Sequence, residues 1–306
     1  GVIEMKSMDD AGYDHTFSAG ITAASSTIGP VIPPSIPFVV YSSCSGASVA
    51  KLFAAGFMPG FMMALAMGIA VYVQSKRKHF PVMPRMPWGE RLKAFVRAIP
   101  SLLTVVIIVG GIWGGIFTAT EAAIVATFYA LFLSGVVYKS LTLKSLMSII
   151  YDSIMTSCKT LFIIAIANFL AYFLIHARVP NQIIEGMLSI TNNPYILILL
   201  IIFILFILGM FMEGTAVILI VTPIFLPIID AIGMDYLQFG VIMIVASMVG
   251  LLTPPVGMSL YAVSSITKVS LIDLSKEVIP YVVGILIVLL LCAYVPAFSL
   301  TLPALL

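Results

Sequence analysis

The chain has 306 residues, 61% of them hydrophobic and 9% charged, with a formal net charge of +2 and a mean hydropathy of +1.17. Soluble domains carry about 25% charged residues, so this composition excludes an ordinary water-soluble domain and places most of the chain in lipid. Cys44, Cys158 and Cys292 lie far apart inside apolar segments and suggest neither a disulfide framework nor a metal cluster.

The opening residues "GVIEMKSMDDAGYD" are too polar for a signal peptide, and the chain is expected to begin partway through a larger fold. No Asp, Glu, Lys or Arg then occurs between Asp14 and Lys51. Inside that stretch "PVIPPSIP", residues 30 to 37, holds four prolines. A proline costs a helix interior about 3 kcal/mol, so the segment predicts a helix broken at membrane depth. A spanning helix at 53–73 leads to a basic arm carrying Lys76, Arg77, Lys78, Arg85, Arg91, Lys93 and Arg97. The positive-inside rule makes arm 76–97 cytoplasmic, with Trp88 at the membrane surface.

Counting onward, 99–115 cross outward, a turn near Gly114 to Thr120 reverses the chain, and 121–137 return to Lys139 and Lys144. Thr118 and Glu121 have the spacing of a capping box. Residues 148–175 cross again and leave "HARVPNQIIEG" periplasmic; Lys159 within them reads as an anion contact, a partner for Asp152 or a snorkelling side chain. Residues 207–227 join two apolar arms of about fifteen residues through Met-Glu-Gly-Thr, which predicts a re-entrant hairpin with Glu213, Gly214 and Thr215 at its tip. Glu213 reads equally as a functional intramembrane carboxylate and as a cap of the second arm. A second proline break, "GLLTPPVG", covers 250–257, and the end of the chain is expected to be periplasmic. No segment alternates apolar and polar residues like a barrel strand, so the fold class is all-α and polytopic.

Sliding the sequence by 221 positions superposes Gly12 on Gly233, Asp14 on Asp235, Ser26 on Ser247, Gly29 on Gly250, Pro33 and Pro34 on Pro254 and Pro255, and Pro59 on Pro280. The crossing count puts Asp9 to Asp14 on the cytoplasmic side and Asp230 to Asp235 on the other, so the two copies are expected to be inverted. Inverted repeats with broken helices and re-entrant hairpins are the pattern of a secondary transporter that binds its substrate near the midplane. The division read from these features is 1–50, first-repeat transport elements; 51–98, span and basic arm; 99–193, scaffold helices; 194–267, second hairpin and broken helix; 268–306, final scaffold helix.

Hydroxyls and freed carbonyls beside a break supply hard oxygen ligands, which suits sodium. The candidates are Ser25, Ser26, Gly29 and Ser35 in the first copy, and Glu213, Gly214, Thr215, Ser247, Gly250, Thr253 and Gly257 in the second. The competing reading is that these small residues serve close helix packing. Substrate candidates are Pro33, Pro34, Ser35, Thr253, Pro254, Pro255 and Ser259, near half-helix amino termini that favour anions.

The stretches "IPPSIP" at 32–37, "LFAAGFMPG" at 52–60, "GIFTATEAA" at 115–123, "GMFMEGTA" at 209–216 and "GLLTPPVG" at 250–257 occur in order along nearly the whole chain. In these motifs the chain resembles the large membrane subunit of tripartite ATP-independent periplasmic (TRAP) transporters. That resemblance implies an elevator-type fold in the bacterial inner membrane, with sodium as the coupling ion. It also implies a small four-helix membrane subunit, a periplasmic substrate-binding protein, and substrates such as C4-dicarboxylates, sialic acid and other sugar acids. Ala119 departs from a usual proline, and Ser259 stands where an asparagine is frequent. The alternative is a sodium symporter for dicarboxylate or citrate that needs no binding protein. An intramembrane enzyme is disfavoured because His15, His79 and His176 sit at membrane edges and no HExxH or paired-aspartate motif occurs.

Overall fold

A peptide group in hydrocarbon finds no water partner, and helices answer this by closing all their hydrogen bonds internally. In a computed structural model that describes residues 2–78, 80, 85–191 and 193–306, every regular element among the described residues is helical. Seven of these helices are long and apolar enough to cross a membrane: Val49–Lys78, Trp88–Trp113, Ala119–Val137, Leu143–Ile166, Pro194–Phe211, Gly214–Ile232 and Leu271–Tyr294. The chain is a multi-pass α-helical membrane protein.

It divides into two compact units, one of residues 1–82 with 167–306 and the other of residues 83–166. The second unit holds α5 (Trp88–Trp113), α6 (Ala119–Phe132), which continues as a π-helical turn at Leu133–Val137, and the first part of α7 (Leu143–His176). Gly115 takes a positive φ of 66° in the turn before α6, and Thr118 and Glu121 form the capping box that their spacing predicts. Tyr129 on α6 donates to the Pro100 carbonyl of α5 over 2.9 Å. The arm is not separate from the span it precedes: α5 runs unbroken from Trp88 through Pro100. Leu102, Val106, Phe128 and Leu161 are exposed in this unit, an outward apolar surface suited to lipid.

In the first unit α1 (Val2–Asp10) leads to α2 (His15–Ser25), the break at 26–35, α3 (Ile36–Ser45) and α4 (Val49–Lys78). Later come α8 (Val179–Ile190), α9 (Pro194–Phe211), α10 (Gly214–Ile232) and α11 (Tyr236–Leu251). A second break precedes α12 (Met258–Thr267) and α13 (Leu271–Tyr294), with short turns at Ala297–Leu300 and Pro303–Leu305. The chain thus ends in a 24-residue helix and two single turns rather than one helix throughout 268–306. Much of "HARVPNQIIEG" is helical in α8.

The hairpin arms are longer than expected. α9 has 18 residues and α10 has 19, because the first arm begins at Pro194 under an Asn193 cap. At 1.5 Å per residue each is about 27 Å long, close to the hydrocarbon thickness of about 30 Å, so arm length alone does not require re-entrance.

Positions 221 apart carry the same local devices. Gly12 and Gly233 both take positive φ, and Asp14 and Asp235 both cap the helix that follows, α2 and α11. The Pro33-Pro34 and Pro254-Pro255 bonds are both cis, and Pro59 and Pro280 both lie inside long helices. α11 is the axis of the core, with every residue from Gln238 to Gly250 buried. It packs against α9, α4 and α13, while α3 lies on α10 and α12 on α2.

Glycines set the closest approaches. A Cβ on Gly250 would lie 2.5 Å from the Gly209 carbonyl carbon, and one on Gly209 would lie 2.9 Å from the Ser247 carbonyl oxygen. The α9 and α11 backbones therefore touch directly. Gly250→Ala is expected to cost about 1–3 kcal/mol through overpacking against backbone that cannot yield. Gly68→Ala, in open space on α4, is expected to be neutral or to gain up to about 1 kcal/mol. Thermal unfolding of the purified variants in detergent checks the contrast.

Candidate functional site

The first break begins at the C-terminus of α2. Ser25, Ser26 and Thr27 each turn a hydroxyl back to the carbonyl three residues earlier, those of Thr22, Ala23 and Ala24. Ser35 then caps α3: its oxygen accepts from the Phe38 N–H, and its hydroxyl donates to the Pro30 carbonyl. Ser35 and Pro33 are buried, whereas Pro34, Gly29, Ser25 and Ser26 are exposed. Thr27, one of the hydroxyls that the Ser-Ser-Thr run offers beside Gly29, is fully buried in this group.

The second break is built against the hairpin tip. Ser247 donates to the Met243 carbonyl at 2.8 Å and Thr253 to the Val249 carbonyl at 2.9 Å. The Gly257 N–H, at φ 55°, reaches across to the Met210 carbonyl at 3.2 Å. A Cβ on Gly214 would stand 3.0 Å from the Met248 methyl. The structure therefore brings together Gly214, Ser247, Gly250 and Gly257, with Glu213 and Thr215 adjoining on the tip and Thr253 on the break.

Glu213 is the N-cap of α10: its carboxylate accepts from the Ala216 N–H at 3.1 Å and from the Thr215 hydroxyl at 2.9 Å. The capping role is thus seen in the structure, and it fits the dipole at a helix amino terminus. α12 differs, because its N-cap Gly257 supplies no side-chain cap. Pro254 and Pro255 are exposed there, and Ser259 is half-buried on the first turn.

Every hydroxyl with a hydrogen bond at these breaks donates to a carbonyl of its own segment. A donating hydroxyl keeps its oxygen lone pairs, so these atoms remain acceptors toward a cation. Among the described residues no cluster of three or more His, Cys, Asp or Glu occurs, and no hydrogen bond joins the two breaks directly. His79 lies outside the described residues. Lys159 is exposed and forms no ion pair with Asp152 among the described residues.

One polar junction was not anticipated. His15 at the start of α2 places Nδ1 2.8 Å from Asp9 Oδ2 and Nε2 3.2 Å from the Thr267 carbonyl at the end of α12. Both partners are acceptors, so both bonds exist together only in the imidazolium. The positions 221 later hold the corresponding pair in another chemistry, with the Tyr236 hydroxyl donating to Asp230 over 2.7 Å. That correspondence was the sequence signal.

Two broken helices, one seated against a hairpin tip, inside a multi-pass helical protein are the features of a membrane carrier. Residues 1–298 match the family described as "Tripartite ATP-independent periplasmic transporter, DctM component". The chain belongs to this family. It is 40% identical over 305 residues to the sialic acid TRAP transporter large permease protein SiaM of Vibrio cholerae, covering 100% of this chain and 71% of that protein. It is 38% identical to the C4-dicarboxylate TRAP transporter large permease protein DctM of Pseudomonas aeruginosa, over 99% of this chain and 71% of that one. The DctM of Vibrio cholerae is 36% identical, over 100% and 72%.

His15 lies outside the seven candidate spans, and its pKa is raised above the ordinary 6.5, first by the Thr267 carbonyl and then by Asp9. Asp9 Oδ1 is buried without a partner, and Asp14 adds to the negative field. A raised folded-state pKa contributes stability that is fully present below the unfolded value and is lost as pH rises through the folded one. Wild type is therefore expected to melt higher than His15→Gln below the ordinary histidine pKa of 6.5, with the difference lost as pH rises through the raised folded-state value. Thermal melts of both proteins across that range test it.

Proposed function

We propose that this chain is the large permease of a sodium-coupled secondary importer in the bacterial inner membrane. Its substrate is an organic acid, such as a C4-dicarboxylate, sialic acid or another sugar acid. A periplasmic binding protein delivers the acid, and a small four-helix membrane subunit accompanies the permease. Membership of the DctM family is the observation that carries this reading, and the named relatives support the substrate class.

In this reading the segments 221 residues apart are inverted repeats, and the matched caps, glycines and proline pairs support that relation. Sodium takes hydroxyl and carbonyl oxygens at each break: Ser25, Ser26, Gly29 and Ser35 in one, and Ser247, Gly250, Thr253 and Gly257 with tip residues Glu213, Gly214 and Thr215 in the other. These are mostly neutral oxygen donors, which suit a weakly held monovalent cation. The substrate carboxylate lies between the breaks, near Pro33, Pro34, Ser35, Thr253, Pro254, Pro255 and Ser259. The amino terminus of α12 lacks a side-chain cap, which leaves N–H groups for an anion and supports this placement. Residues 1–50 and 195–267 move as the elevator, while the basic arm and 99–137 belong to the static frame. The arm's cations and Trp88 anchor it to headgroups.

Thr253→Ala removes one oxygen at little structural cost, whereas Ser35→Ala also uncaps α3 at about 1 kcal/mol. With the complete tripartite system in proteoliposomes, Thr253→Ala is expected to raise the sodium concentration for half-maximal uptake about fivefold, the equivalent of one lost polar contact. Uptake that needs no sodium, or no binding protein, would sink the corresponding part of the proposal.

Inversion has its own test. Asp10 and Ala231 stand 221 residues apart and both are exposed. Single cysteines there, with Cys44, Cys158 and Cys292 replaced, are expected to react with an impermeant thiol reagent from opposite faces of the membrane. Reaction from one face would make the copies parallel.

A further inference from the structure

An apolar groove of about 590 Å³ runs between α4 and α13, within the first unit. Its floor is the close contact of Ala66 with Gly284, where an added Cβ would sit 3.1 Å from the Ala66 methyl. Its walls are the exposed side chains Leu65, Ile69 and Val73 on one side and Val283 and Ile287 on the other. All polarity is gathered at one end, in Gln74 and Arg77.

That end is made of donors. The Tyr281 hydroxyl donates to Gln74 Oε1 over 2.7 Å, which fixes the amide and leaves its NH2 group to donate. Arg77 has no ion-pair or hydrogen-bond partner among the described residues, whereas neighbouring Lys78 is neutralised by Glu277 at 2.9 and 3.0 Å. Lys76, over the Tyr72 ring, adds a second cation nearby. From Arg77 to Met62 the groove follows sixteen residues of α4, about 22 Å. One leaflet of hydrocarbon is about 15 Å deep, half the core.

We propose that this groove binds an anionic phospholipid, one acyl chain along α4 and α13 and its phosphate on Arg77 and Gln74. The match is of charge and of order: a long apolar track closed at one end by a guanidinium and an amide donor, with no carboxylate among the lining residues. A helix of another polypeptide would fill the track but would leave the guanidinium unanswered unless it carried its own acid there. With the basic arm cytoplasmic, the lipid belongs to the inner leaflet, and only this leaflet assignment rests on the sidedness proposed above. Because α4 and α13 each follow one of the two breaks, a lipid held here would contact both halves of the carrier.

The test is native mass spectrometry of the purified full chain titrated with phosphatidylglycerol or phosphatidylcholine. Wild type is expected to retain phosphatidylglycerol in preference. Arg77→Gln is expected to lower that preference about fivefold, the effect of one cation near an anionic headgroup, and to weaken phosphatidylcholine less, because choline offsets the phosphate charge in the zwitterionic lipid. Ala70→Trp, which fills the groove, is expected to lower binding of both lipids, and the less bulky Ala70→Leu serves if the first variant melts early. Equal retention of the two lipids by wild type, or unchanged binding in either class of variant, overturns the proposal. A photo-crosslinking residue at Val283 that captures a second polypeptide in membranes, rather than lipid, overturns it as well.

Discussion

The constraint on which this structure turns is the peptide hydrogen bond in a medium without water. A helix satisfies it automatically, and a break in a helix creates a local debt of several unpaired groups. At the end of α2 three successive carbonyls are met by three successive hydroxyls, from Ser25, Ser26 and Thr27. At the second break Thr253 does the same for Val249, and Gly257 turns its N–H to Met210 on a different helix. At Thr22, Ala24 and Val249 the hydroxyl is a second donor to a carbonyl that a backbone N–H already meets, so these small polar residues reinforce helix ends rather than rescue them. Whatever they hold beyond that is held by oxygen atoms already oriented by the fold.

This explains why some features were legible from the chain alone and others were not. Asp14, Asp235, Glu213 and the Thr118–Glu121 pair act on residues two or three positions away, and local spacing reveals them. The glycine and proline breaks are visible because their cost in a helix is large and independent of surroundings. The hairpin arms exceed the length read for them even though the sequence marks the start of α9, with Asn193 as cap and Pro194 in the first turn. Gathering the tip with the second break depends on Gly209 meeting Gly250, and the composition of neither segment announces its partner. The contact of His15 with Thr267 joins residues 252 apart and has no local signature at all.

The two breaks are similar in construction but not in chemistry. At the root of α11 a tyrosine answers Asp230; at the root of α2 a histidine answers Asp9 and also ties down the end of α12. The Tyr41 hydroxyl makes the reciprocal tie, from α3 to the Tyr236 carbonyl at 2.8 Å. Each break is thus fastened to the other segment through an aromatic ring, and only one of the two rings titrates near neutral pH.

The meeting of Gly209 with Gly250 has a mechanical consequence. Helices that touch through side chains can slide or tilt by small rotamer changes, but two backbones in contact have no such cushion between them. A hinge cannot lie at that point. The tip of the α9–α10 hairpin and the end of α11 therefore behave as one lever. Any rearrangement that displaces one displaces the other, and the joints that permit movement must be found elsewhere in the chain.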